Sequence, residues 1–127
     1  MILGCGLDLI EVERFETELS RRGPAILDDL FTARERAAIE AWPRPARGFA
    51  AGFAVKEACF KALGTGKIGR MAWRDLEVTW EGVVPVVTMT GESGDVAAGL
   101  GVDHVHVALS IGHLEVVAWA ILEGVGR

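Results

Sequence analysis

The chain has only two cysteines, no apolar run longer than seven residues and too few basic residues to balance its acids. Cys5 and Cys59 stand among apolar neighbours, without metal-type spacing and too few to staple a fold. They read as reduced, buried thiols of a cytoplasmic protein. The longest apolar run, Val116 to Leu122, falls far short of the roughly 20 residues of a membrane span. No membrane partner is therefore expected. The N-terminus lacks a basic segment and Asp8 interrupts its apolar stretch, so no secretory signal is expected. A formal net charge of −5 argues against a nucleic-acid binder, whose footprint is usually basic. No Ser-His-Asp hydrolase pattern is present, and no G-x-S-x-G occurs.

What is present suits one packed domain over residues 1–127. Half of the residues are hydrophobic, which rules out a disordered chain. The charge is uneven: residues 1–70 sum to +1 and residues 71–127 to −6. An anionic partner should therefore meet the first half. The 16 glycines have no period and imply many tight turns rather than a repeat.

The order of elements predicts an α+β fold with an N-terminal strand, a helical segment and then a mostly antiparallel sheet. Met1 to Leu9 reads as a strand, and Glu11 to Arg21 as an amphipathic helix with Val12, Phe15 and Leu19 on one face. Gly23-Pro24 is a break. Thr32 and Glu35 have capping-box spacing and start a helix that ends near Trp42. The strongest helix runs from Arg47 to Leu63, rich in alanine and stopped by Gly64. Two strands flank Gly82, a short helix covers Gly94 to Leu100, and two more strands cover His104 to Ile111 and Leu114 to Leu122.

Several residues bear two readings. Phe49, Phe53 and Phe60 make a core stripe on the long helix. Glu57 and Lys61 are an i,i+4 pair with the small residues Ala50 and Ala54 nearby, which is either an exposed ion pair or a place where something comes close. Asp8 ends a strand and precedes a helix. It is either a cap, with Glu11 three residues on, or a ligand for magnesium, which takes one or two carboxylates and completes its shell with phosphates. Gly64 to Gly69 satisfies a glycine fingerprint but follows a helix, so it is no dinucleotide motif. It is a plain helix stop or, beside Lys61 and Lys67, an amide-rich phosphate cradle. His104 and His106 share one strand face without an evident third metal ligand, and His113 stands at a turn near Ser110.

Gly6 to Phe15 resembles the N-terminal motif of the holo-acyl-carrier-protein synthases, the small stand-alone phosphopantetheinyl transferases. Phe53 to Gly66 resembles their most specific motif. Leu30-Phe31-Thr32 with Glu35, Trp73 to Val78 with Gly82 and Pro85, and Ser110 to His113 match further family segments in the same order. The resemblance implies transfer of 4′-phosphopantetheine from coenzyme A to a serine of an apo acyl carrier protein of fatty-acid or polyketide synthesis, with magnesium, releasing adenosine 3′,5′-bisphosphate. It implies that Asp8 and Glu57 are magnesium ligands and that Glu57 and Lys61 are catalytic. Lys61 would act on phosphate either as a clamp or as a base for the serine. Lys61, Gly64, Thr65, Gly66, Ser110 and His113 would line the coenzyme, and Arg14 and Arg21 on the first helix would dock the acidic carrier protein. A homotrimer with active sites between subunits is implied too. The sequence departs from the family at Gly52, where arginine is usual, and at Gly112, where serine is usual; both positions are expected near the nucleotide. Arg47 does not share a helical face with position 52 and is no evident replacement. These departures keep two other readings open: a non-catalytic trimeric homologue that binds nucleotide or coenzyme A, and a magnesium-dependent hydrolase of a nucleotide diphosphate.

Overall fold

The computed structural model describes residues 1–126. Strand β1 (Ile2–Glu11) is followed by helices α1 (Val12–Arg22), α2 (Ala25–Leu30), α3 (Ala33–Glu40) and α4 (Pro45–Ala62). A 3-10 turn (Trp73–Asp75), the hairpin β2 (Leu76–Glu81) and β3 (Val84–Met89), helix α5 (Gly91–Leu100) and the hairpin β4 (Val102–Ile111) and β5 (Glu115–Gly124) complete the α+β fold. One antiparallel sheet has the order β1-β5-β4 and the other is β2-β3.

Helix α4 lies across one face of the three-stranded sheet. Ala50, Ala51, Ala54, Val55, Ala58, Cys59 and Phe60 meet Val116, Ala118, Ala120 and Leu122, and all of them are buried. The contact is backbone-close at β1. A Cβ on Gly4 would sit 2.0 Å from the Ala62 carbonyl oxygen, and one on Gly6 would sit 1.9 Å from that of Ala58. Only glycine permits this approach, and it carries Asp8, on the same strand face as Gly4 and Gly6, to the last turns of α4. A second cluster of Leu30, Phe31, Ile39 and Phe49 joins α2 and α3 to the start of α4.

The apolar run of β5 has its explanation in the sheet. Its alternate residues pack on α4, while Val117, Trp119 and Ile121 point the other way beside Cys5, Leu7 and Leu9 of β1. Leu7, Leu9, Trp119 and Ile121 are 51, 54, 45 and 36 % exposed, so this face has no cover within the chain. Cys5 is exposed on it, which corrects the expectation of two buried thiols; Cys59 is buried as expected.

The strands and the long helix fall where periodicity puts them, within a few residues. The Thr32 capping box is present, with Thr32 Oγ1 accepting from the Glu35 amide and Glu35 Oε1 from the Thr32 amide. Helix α2 is an addition, because six residues are too few to display a period. Asp8 does not cap α1. The N-cap is Glu11, without a side-chain bond, and Asp8 faces α4 from within the strand.

Candidate active site

Asp8 of β1 and Glu57 and Lys61 of α4 come together at the C-terminal end of the long helix. Lys61 Nζ donates to Asp8 Oδ1 at 2.9 Å and to the Leu7 carbonyl at 3.1 Å. It therefore pairs across the fold with Asp8, and the expected i,i+4 bridge to Glu57 is not formed among the described residues. Glu57 is half-buried. Burial raises the pKa of its carboxyl above the usual range, and the negative Asp8 pushes in the same direction, while Lys61 opposes. A half-buried carboxylate whose charge is penalised by burial and by a neighbouring carboxylate is what a hard divalent cation relieves, and two protein carboxylates plus phosphate oxygens suit magnesium. The donor set fits that ion.

Just beyond α4 the chain turns at Gly64, with φ of 84°, and the Gly66 amide donates back to the Phe60 carbonyl at 3.2 Å. Gly64 and Thr65 are exposed there, so the loop carrying Gly64, Thr65 and Gly66 follows directly on Lys61. Lys67 from this loop lies 5.5 Å from the centroid of the Trp73 ring.

Ser110 and His113 do not join this site. Ser110 lies on the uncovered sheet face opposite Val117. His113 Nδ1 is 2.9 Å from Arg47 Nη2, at the other end of α4. The rise of an α-helix puts Arg47 about 21 Å along the axis from Lys61. Arg47, which its helical face ruled out as a replacement at position 52, thus meets His113 instead. Its partner is 66 residues away, and no spacing along α4 could disclose it. Gly52 also meets a partner from a distant segment. Its position is buried, and a Cβ there would meet Phe31 Cε1 at 3.1 Å, so this glycine serves close packing against the α2–α3 cluster.

On the outside of α1, Arg14 is exposed and Arg21 pairs with Glu18 at 2.8 Å. Next to them opens a groove of about 310 Å³ floored by Phe15, Leu19, Ile26, Leu30, Phe53 and Trp73. Phe53 stacks on Phe15 at 5.3 Å and packs against Trp73 at 4.8 Å, so this member of the phenylalanine stripe walls a surface groove as well as packing. His106 Nε2 contacts Glu123 at 3.0 Å, and no cluster of three or more metal-ligating side chains occurs among the described residues.

A family model described as the 4′-phosphopantetheinyl transferase superfamily matches residues 4–112. The chain belongs to this superfamily. A holo-[acyl-carrier-protein] synthase of Desulforudis audaxviator is 44 % identical over 125 residues, covering 98 % of this chain and 95 % of that protein. One of Koribacter versatilis is 39 % identical over 97 % of this chain and 99 % of its own length. The crystal structure of the Neisseria meningitidis synthase superposes with a TM-score of 0.87 at 26 % identity, covering 97 % of this chain and 99 % of that one. That of the Bacillus anthracis synthase, in complex with CoA (3′,5′-ADP), does so with a TM-score of 0.79 at 28 % identity, covering 98 % and 99 %. The transferase is therefore an enzyme of the holo-acyl-carrier-protein synthase kind, and the non-catalytic alternative is not favoured.

Proposed function

We propose that this phosphopantetheinyl transferase moves 4′-phosphopantetheine from coenzyme A to a serine of an apo acyl carrier protein and releases adenosine 3′,5′-bisphosphate. The observation that carries this reading is the convergence of Asp8, Glu57 and Lys61 at the end of α4. Asp8 and Glu57 would hold magnesium, which supplies charge neutralisation for the diphosphate and its leaving oxygen. The serine Oγ attacks the β-phosphorus, the bond to the bisphosphate oxygen breaks, and the serine proton passes to solvent water. Catalysis of this kind is mainly positioning and electrostatics. Lys61, whose Nζ is held by the Asp8 carboxylate and the Leu7 carbonyl, would act as a cationic clamp on the diphosphate. The loop of Gly64, Thr65 and Gly66, which follows directly on Lys61 and is exposed at Gly64 and Thr65, would line the same phosphates.

The carrier protein would dock on α1, where Arg14 and Arg21 are exposed and Arg22 lines the apolar groove. An acidic partner with an apolar anchor suits that combination. His113 and Arg47 suit a phosphate of the nucleotide, yet their separation from Lys61 exceeds what one coenzyme's diphosphate and ribose span. A site assembled from two copies of the chain resolves this, with His113, Arg47 and Ser110 of one copy meeting Asp8, Glu57 and Lys61 of another. The uncovered apolar face of β1 and β5 is the natural contact for such a homotrimer, because soluble proteins rarely leave a patch of that kind open. Trp119→Glu should then yield monomers in sedimentation equilibrium, and an intact trimer in that variant would remove this interface.

The deciding experiment is intact-mass spectrometry of an apo acyl carrier protein incubated with the enzyme, coenzyme A and magnesium. One added phosphopantetheine, absent with EDTA, is the expected result. Coenzyme A consumed at the same rate without carrier protein would instead support a hydrolase.

A further inference from the structure

Five residues before Lys61, α4 carries a second lysine that the proposed chemistry does not use. Lys56 is fully buried, and its Nζ donates to the Leu30 carbonyl at 2.8 Å, to Glu35 Oε1 at 2.8 Å and to the Trp73 carbonyl at 3.1 Å. It also lies 5.1 Å from the Phe31 ring centroid. An ammonium has three protons, and here three acceptors take them. Lys56 therefore has no proton free for a substrate and no route to one. Glu35 is equally occupied: its Oε1 also accepts from the Thr32 amide, and its Oε2 accepts from the Val78 amide at 2.9 Å.

Each partner belongs to a different element. Leu30 closes α2, Glu35 lies in the first turn of α3, Trp73 opens the 3-10 turn and Val78 lies in β2. The rest of the buried surface of α4 is largely alanine and glycine. These small residues, and the Phe49, Val55 and Phe60 among them, give apolar burial, which is non-directional and supplies no bond of fixed direction to hold the helix's rotation. Hydrogen bonds with fixed directions define it well. Glu57 follows Lys56 by about 100° around the helix axis. The anchor on one side therefore aims the carboxylate on the other.

We propose that Lys56 is a positioning residue, which sets the rotation of α4 so that Glu57 and Lys61 face Asp8, and which locks that site to the Leu30–Trp73 wall of the carrier-protein groove. This rests on the site reading above. A merely structural pair would make activity follow stability. A positioning role separates the two. Glu35→Gln removes the charge pair but keeps both carbonyl ties, so it should lower the melting temperature and leave kcat per folded molecule within about twofold of wild type. Lys56→Met combined with Glu35→Gln removes the ties as well. It should lower kcat by about 100-fold while the KM for coenzyme A changes little, as misplacement of a reacting group does.

Both variants are assayed below their melting temperatures with coenzyme A and an apo acyl carrier protein. Wild-type kcat in a folded double variant would overturn the proposal. So would a fall in kcat per folded molecule of Glu35→Gln well beyond twofold, since both carbonyl ties of Lys56 are kept there; this keeps the question decidable even where the double variant fails to fold. Glu57→Gln is the control: if it transfers normally, the reading of the site itself fails, whereas an inactive Glu57→Gln beside a fully active double variant rejects the positioning role alone.

Discussion

Two lysines five residues apart on α4 each hold a carboxylate, in opposite ways. The side chains of Lys56 and Glu35 are 0 and 1 % exposed and every polar atom between them is partnered. Those of Lys61 and Asp8 are 51 and 15 % exposed, with Glu57 beside them in an environment that penalises its charge. The first pair is saturated and belongs to the scaffold. The second is open to solution and has capacity left for phosphates and a cation. One helix thus separates anchoring from chemistry by which way it turns each lysine.

Stability gives the largest contrast. Lys56→Met leaves Glu35 buried without its counter-charge and should cost about 3–5 kcal/mol in urea unfolding. Lys61→Met breaks a half-exposed pair and should cost less than about 1 kcal/mol. Losses of equal size would erase the distinction between the two sites. Activity should invert this order. Asp8→Asn and Glu57→Gln should each lower transfer by about 100-fold or more while unfolding cooperatively near wild type. Full transfer in either, measured by carrier-protein mass, would take that carboxylate out of the site.

A smaller effect tests how far the open side extends. Arg14→Glu should raise the KM for carrier protein by roughly tenfold, about 1.4 kcal/mol, and leave that for coenzyme A unchanged. Equal changes in both constants would reject docking at α1. The smallest effect concerns the closed side. Burial pushes the Cys59 thiol up to about 12 from its ordinary value of 9.0. Its folded pKa is raised, so its contribution to stability is complete below pH 9 and is lost as pH rises towards 12, where the unfolded thiol ionises and the folded one resists. At pH 8 a thiol reagent should leave Cys59 unmodified in the native protein and label it only after unfolding. Native labelling of Cys59 would mean that this face of α4 opens readily.

Much of this was legible in the sequence. Alternating apolar residues gave the strands, alanine content and Gly64 gave α4, and Thr32 with Glu35 gave a helix start that the structure contains. The nature of the site came from a resemblance, since spacing left Asp8 equally a cap or a metal ligand and Glu57 with Lys61 an ordinary surface pair. Lys56 passed unremarked although it left a signal: a lysine between Val55 and Ala58, in a helix face otherwise apolar, needs a buried partner. Its partner Glu35 was hidden because the capping box already accounted for that carboxylate. Cys5 looked buried because β5 and β1 are apolar on both faces, and only one of those faces has a cover within the chain.

The sequence by itself determined what depends on neighbours along the chain: where strands and helices run, where they stop, and which side chains carry charge. The tertiary structure alone decided which partner each charge takes. Lys61 sits within reach of Glu57 on its own helix, yet it pairs with Asp8, because Gly4 and Gly6 let β1 approach the backbone of α4 and bring a carboxylate and a carbonyl together at one point. Arg47 finds His113, and Gly52 finds Phe31, for the same reason. Local propensity acts over a few residues, whereas electrostatic and packing partners are chosen by distance in space, which a linear pattern does not encode.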